Sequence, residues 1–445
     1  MRKKVKWFLS TVITVVLIST ILIGCSKDTA SSGNGSGKQV NIKFWTQSDP
    51  TYKKAAQTLI DKFEKENPNI KVKLESFPEY ATKVSTAFNT GNAPDVLEMF
   101  GSSIKLAQGG KVLPVPESVM SKAEIEKTFT PDSLKNRTYK GKYYGLPNEI
   151  SMESPGLLIN EDLVKKAGLT IPESWVKNNG PASWAELRDF AEKLTVIENG
   201  VMKQAGLGVI GGQEEAMFLS LIWQYGGEYR DEKNGKVNFT SPEAKKAIEF
   251  IQGLISGDHR VHDKGFSKRF DGFVGKSNAM TIGAPWYAAS ISSDVKDFKY
   301  QYFNLPPFVD GSKPYFVTEG GWGYLVSAKS KHPEESWKLV KFLLQKDNQD
   351  YWTKEVGSIS SRTDAAVNTN YDPAVGSVEK AIAISSKITN DGRDAGAYTG
   401  DTSQLIWTIV RQNLAAILQK EVSIDKGLKN MEDQANQMIE RNNRK

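Results

Sequence analysis

Apolar and charged residues alternate over Ile70, Lys71, Val72, Lys73, Leu74 and Glu75, the two-residue period of a strand with one buried face. Just upstream the period changes. Tyr52, Ala55, Ala56, Leu59, Ile60 and Phe63 recur every three or four residues, so a helix is predicted that Asp49-Pro50 opens and Asn67-Pro68 stops. Residues 40–44 read as a strand before it. After Glu75 a second helix is predicted through Tyr80, Val84, Ala87 and Phe88, followed by the turn TGNAPD and the buried strand VLEMF. This order of strand, helix, strand, helix, strand implies a parallel sheet with helices on its faces. Such sheets bind ligands beyond the carboxyl ends of their strands, predicted here at residues 45–49 and 98–103.

The middle of the chain is more helical. Ser183-Trp184-Ala185-Glu186 has the spacing of a capping box and opens the periodic stretch LRDFAEKL. Ser241-Pro242 opens another helix, with Ala244, Ala247, Ile248, Ile251 and Ile255 in one stripe. VTEGGWGYLV, from Val317, reads as a loop and strand, and Pro333 starts a helix carrying Trp337, Val340, Leu343 and Leu344. A last helix from Ser423 keeps Ile424, Leu428, Met431, Ala435 and Met438 on one side. An α/β chain of 445 residues is expected to form two or three domains with ample core.

The N-terminus follows a different pattern. Arg2, Lys3, Lys4 and Lys6 precede WFLSTVITVVLISTILIG, which carries no charge, the layout of a secretory signal. An uncleaved membrane anchor is the other reading of that run. Its end, Leu22-Ile23-Gly24-Cys25, resembles a bacterial lipobox, and Cys25 is the single cysteine. Residues 1–24 are therefore read as a lipoprotein signal peptide, Cys25 as the lipidated (palmitate-bearing) residue, and residues 25–39 as a flexible Ser/Gly-rich tether. The same four basic residues carry most of the formal charge of +6, so the rest is near neutral and lacks the basic face of a nucleic-acid binder. One cysteine also excludes intrachain disulfides, thiolate zinc cages and iron–sulfur clusters.

Catalytic templates are missing from the sequence. It contains neither H-E-x-x-H nor G-x-S-x-G, and its three histidines are His259, His262 and His332. DHRVHD, residues 258–263, is read as a solvated loop, metal ligation being the alternative. DGRDAGAYTGD, residues 391–401, has oxygen ligands without calcium-loop spacing and is also read as solvated loop. No cofactor and no metal is expected. Tryptophan is plentiful, at 10 residues. Flat aromatic faces pack on the C–H face of a pyranose, while carboxylates, amides and arginine bond its hydroxyls.

NPNIKVKLESF, TGNAPDV, LAQGGKVLPV, YKGKYYGLPNEI, GLLINEDLVKKAGLTIPESW, WQYGGEY, SNAMTIGAPWY and VTEGGWGYLVSAKSKHPEESWKLVKFLL follow one another in this order. Over roughly residues 40–360 the chain thereby resembles the family 1 extracellular solute-binding proteins of ABC importers, which include the maltose-binding proteins. The resemblance implies a periplasmic-binding-protein-like fold, two α/β lobes around a ligand cleft with a multi-crossover hinge. The first lobe would hold residues 40–147 and about 307–357, the second 148–306 and about 358–445, with crossings near 146–149, Pro306 and Gly357. It further implies a receptor that captures a mono- or oligosaccharide, closes on it and passes it to a permease; with the lipobox, a monomer lipid-anchored outside the cytoplasmic membrane of a Gram-positive cell is expected. Two alternatives stay open. One is a secreted glycosidase, drawing two carboxylates ~5–9.5 Å apart from Glu98, Glu149 and Glu153. The other is the same fold with a polyamine, peptide or metal as cargo.

Candidate ligand contacts follow from both lines. Trp45, Gln47 and Asp49 come after the first strand, although Trp45 also reads as core and Asp49 as a helix cap. Glu98, Phe100 and Ser102 are placed after the third strand. Counting back from Asn160 aligns Glu153 with a sugar-binding glutamate of the maltose-binding proteins, with Asn148 and Glu149 as rivals because the segment is longer here. Trp286 matches the family's stacking tryptophan after the strand AMTI, and Tyr287 follows it. Trp322 stands after Gly320-Gly321, where missing Cβ atoms let backbone approach a ligand or a hinge strand. Arg362 is read as a hydroxyl clamp or as an exposed arginine, and Gln213 and Met217 as residues of the second lobe's cleft face.

Overall fold

The computed structural model describes residues 39–443 apart from 154, 213, 258, 264, 267, 368 and 369. The expected signal, Cys25, the tether and Gln213 lie outside the described residues. β1 (Val40–Gln47) runs on past its predicted end, and α1 (Pro50–Glu66), β2 (Ile70–Phe77), α2 (Tyr80–Thr90) and β3 (Val96–Phe100) follow as the periodicity requires. α1 begins where the Asp49 carboxylate accepts the Thr51 N–H at 2.8 Å and Pro50 needs no acceptor. β1 lies between β2 and β3, parallel to both. The strand Trp322–Val326, from far along the chain, joins β3 antiparallel, and Leu146–Pro147 closes that edge. One face of this sheet packs on Phe63, Trp337 and Trp352, the other on Val84 and Phe88.

A second sheet runs in the order Tyr300–Asn304, Gly156–Asn160, Asn278–Gly283, Val201–Gly208, Val196–Glu198. Its helices start at the predicted caps: Ser183 Oγ accepts the Glu186 N–H and Ser241 Oγ the Ala244 N–H, each at 3.1 Å. The last helix, Ile424–Asn443, buries Leu428, Met431, Ala435 and Met438 in this second core. Its Asn436 amide clasps Val237, accepting the backbone N–H and donating to the carbonyl, both at 2.9 Å. Residues 307–317 also pack here. Phe308, Phe316 and Val317 are core members and Asp310 accepts the Trp184 N–H at 2.6 Å. That corrects the expectation that the chain returns to the first lobe at about 307; apolar Phe308 and Phe316 are buried where the second core offers them surface, and the first sheet is rejoined only at Trp322.

Between the two sheets lies a third, in the order Ile359–Ser360, Glu149–Met152, Val317–Glu319, Arg393–Asp394. The chain crosses here at about 147–152, 317–322 and 357–360, so the middle crossing comes later than Pro306. The segment 391–401, expected as solvated loop, contributes Arg393–Asp394 as an edge strand, which is too short to leave a period in the sequence. Gly321 has φ +57°, and a Cβ there would lie 2.4 Å from the Glu149 carbonyl oxygen. The glycine pair thus lets the incoming strand pass the hinge strand, the second of the two options left open for it.

Candidate functional site

Two polar networks meet at this hinge sheet. The first lies beneath Trp322. Glu98 is fully buried within β3, not beyond its end, and its carboxylate accepts from the Thr46 hydroxyl and from Asn148 Nδ2 at 3.3 Å. Asn148 Oδ1 accepts in turn from Gln349 Nε2 at 2.5 Å. Beside it Glu149, on the hinge strand, accepts the Tyr52 hydroxyl at 3.3 Å. Burial pushes Glu98 up to about 7, and burial with the charge of Glu98 pushes Glu149 up to about 8. The half-buried Trp322 ring rests over this network, with Phe100 at 5.4 Å and Tyr52 and Tyr80 each at 6.1 Å between ring centres.

The second network faces the other lobe. Glu153 leaves the hinge strand, is 3% exposed, and accepts the Ser151 hydroxyl at 2.6 Å. Burial raises its pKa while the nearby Arg269 guanidinium lowers it. Arg269, itself buried, donates to the Tyr287 hydroxyl at 3.3 Å. Tyr287 packs into a small core with Phe270, and the half-buried Trp286 stands edge-on to it at 4.1 Å. Glu319, two residues past Val317 on the middle hinge strand, is also 3% exposed, and its pKa rises well above the usual range through burial and the charges of Glu153 and Asp394. The Trp407 indole N–H stands close enough to offset part of that rise. The Arg411 guanidinium lies 5.0 Å from the Trp407 ring and donates to buried Glu215. Half-buried indoles thus rim buried carboxylates, a surface able to cover a sugar face and accept from its hydroxyls.

The structure brings Glu153, Trp286 and Tyr287 together in the second network, and Asn148, Glu149, Glu98, Phe100 and Trp322 around the first. Other expected contacts are used differently. Trp45 is core, because β1 is covered on both faces: its ring meets Phe77 at 4.7 Å and its Nε1 donates to Glu75 at 2.7 Å. Asp49 caps α1, and Gln47 accepts the Asp49 N–H at 2.7 Å. Ser102 accepts the Ile104 N–H at 3.2 Å in a local turn. All three Arg362 guanidinium nitrogens are engaged, two by Asp364 and one by the Leu344 carbonyl, so it fastens a loop and is not free to clamp a hydroxyl. Met217 is fully buried in the second core. Glu319, Arg269 and Trp407 escaped the sequence reading. Trp407 sits on a π-helical turn, Leu405–Val410, whose spacing no α-helical pattern reveals.

A cavity of about 680 Å³ opens beside Asp394, lined by Ile104, Leu134, Tyr143 and Tyr398. It shares only Asp394 with the carboxylate network and has no indole on its wall, so the candidate site is the Trp-rimmed surface. Among the described residues no cluster suits a metal ion. His259 pairs with Glu192 at 2.6 Å, and His262 is buried.

The family model for the bacterial extracellular solute-binding proteins matches residues 47–350, well over half of the chain. The chain belongs to that family. A putative binding protein of Brucella abortus is 29% identical over 311 residues, 66% of this chain and 69% of the relative. The multiple sugar-binding protein of Streptococcus mutans is 25% identical over 350 residues, 74% of this chain and 76% of the relative. An ABC substrate-binding protein from Listeria monocytogenes, solved with cycloalternan, superposes with a TM-score of 0.73 over 91% of this chain and 100% of its own, at 20% identity. This solute-binding protein therefore has the two-lobed periplasmic-binding-protein fold, and its paired sheets and three-crossing hinge are the parts of that fold.

Proposed function

We propose that the protein is a lipid-anchored carbohydrate receptor of an ABC importer, acting as a monomer on the outer face of a Gram-positive cytoplasmic membrane. The observation that carries the ligand class is the pairing of half-buried indoles with buried acids along the hinge: Trp322 against the Tyr52 that donates to Glu149, Trp407 close to Glu319, and Trp286 against Tyr287, whose hydroxyl accepts from the Arg269 that acts on Glu153. Indole faces cover a pyranose, and carboxylates take its hydroxyl protons. The sugar-binding relative and the cycloalternan complex support the same class. In this proposal the lobes comprise about 40–147 with 320–357, and about 148–319 with 358–443. They close on the sugar about the hinge sheet, and the protein binds it without turnover. A thermal-shift screen of mono- and oligosaccharides tests the reading: a saccharide should raise the melting temperature and shrink the particle in small-angle scattering. No response to any sugar, or release of hydrolysed product on long incubation, sinks it.

The anchor has its own test. Cys25→Ala is expected to abolish lipid attachment and leave precursor or shed protein. Native protein whose mass corresponds to an intact N-terminus and unmodified Cys25 would refute it.

A further inference from the structure

We propose that the sugar taken by this site carries a protonated amine, which Glu319 receives between Glu153 and Asp394; the inference rests on the carbohydrate-receptor reading above. Glu319 lies on the middle strand of the hinge sheet, with Ser151 opposite it on one side and Asp394 opposite its neighbour Thr318 on the other. The flanking acids are supplied with donors. Glu153 has the Ser151 hydroxyl, and Asp394 accepts the Gly396 and Ala397 N–H groups at 2.9 and 2.7 Å. Glu319 is not: it is 3% exposed and neither of its carboxylate oxygens meets a donor at hydrogen-bond geometry. The charges acting on it are those two acids, with the Trp407 indole N–H close by, whereas Arg269 acts on Glu153, Lys135 and Arg230 act on Asp394, and Arg411 is taken by Glu215.

Burial beside two acids holds Glu319 as the neutral acid while the site is empty, and a neutral hydroxyl would leave it so. An ammonium supplies three donors and the missing charge. The neighbouring aromatic surface fits the same group, since indole faces attract cations and the Trp407 ring already lies 5.0 Å from one. Phosphorylated or carboxylated sugars are disfavoured by the same acids.

The test compares matched pairs on the full chain by calorimetry: glucosamine, galactosamine and mannosamine against glucose, galactose and mannose, and the glucosamine disaccharide against cellobiose. At least one amino sugar should bind about tenfold or more tighter than its neutral partner. That ratio should shrink as salt rises from about 20 mM to about 500 mM, and Glu319→Gln should bring it close to one. Neutral sugars binding as tightly as their amino partners overturn the inference and leave the receptor reading intact. No binding by either kind overturns the inference, and the wider saccharide screen above then decides the receptor reading. Spermidine binding tighter than every amino sugar overturns the sugar in favour of a polyamine. If the variant fails to fold, the wild-type ratio and its salt dependence decide alone.

Discussion

Trp286→Ala should weaken saccharide binding by roughly tenfold to a hundredfold while leaving the fold nearly as stable as before. The residue opens the helix Pro285–Asp294, and its ring, half-buried, leans on Phe270 at 6.0 Å and Tyr287 at 4.1 Å. Burying such a ring under a sugar is worth on the order of 1–3 kcal/mol, and 1.4 kcal/mol is a factor of ten. Trp352 is the natural control. It is fully buried, with Tyr52 at 5.4 Å and Tyr324 at 6.4 Å, and its truncation should cost ~3–5 kcal/mol of folding energy. Titration and melting of both variants separate the two roles. Unchanged affinity with a collapsed melting temperature in Trp286→Ala would assign that residue to packing instead.

Glu98→Gln should make the protein more stable at pH 8 and change little at pH 5. Burial raises Glu98 from 4.5 to about 7, so the folded state holds a proton that the unfolded chain releases above about 4.5. The stability this contributes is full below pH 4.5, falls as pH rises, and is gone above about 7. At 1.36 kcal/mol per unit the loss is on the order of 3 kcal/mol. Glu149, raised to about 8, adds a loss of the same sign that ends about one unit later. Glutamine mimics the protonated acid, its amide able to donate to Thr46 Oγ1 while its carbonyl accepts from Asn148. Chemical denaturation at several pH values reads the effect. A variant whose stability parallels the wild type at every pH would show that Glu98 is ionised in the fold.

What the sequence disclosed, and what it hid, follow from one physical rule. Patterns report burial along a single element, so α1, with Tyr52 to Phe63 on one face, and the capped helices at Ser183 and Ser241 were legible. A strand covered on both sides has no alternation to read. Phe44, Trp45 and Thr46 are all buried in β1, and Glu98 is buried in β3, so residues placed beyond strand ends turned out to lie inside them. The hinge was visible through its glycine pair and only approximately placed, because Ile359–Ser360 and Arg393–Asp394 are too short to carry any period. Trp407 and Glu319 reach the same spot from distant segments, and that meeting is tertiary information. Trp286 and Glu153 are candidates by resemblance to a family, which records such meetings without explaining them.

The wiring of the two sheets also sets an order of assembly. β3 waits for its neighbour Trp322–Val326, and the second core waits for Ile424–Asn443, where Asn436 clasps Val237 and Glu432 accepts the Phe239 N–H at 2.9 Å. Contacts this remote in sequence form late and slowly. The first sheet is therefore complete once residues up to about 357 are available, whereas the second core stays open until the last twenty or so residues arrive. The two lobes thus mature one after the other, and the one that closes last is the one sealed by the chain's final helix.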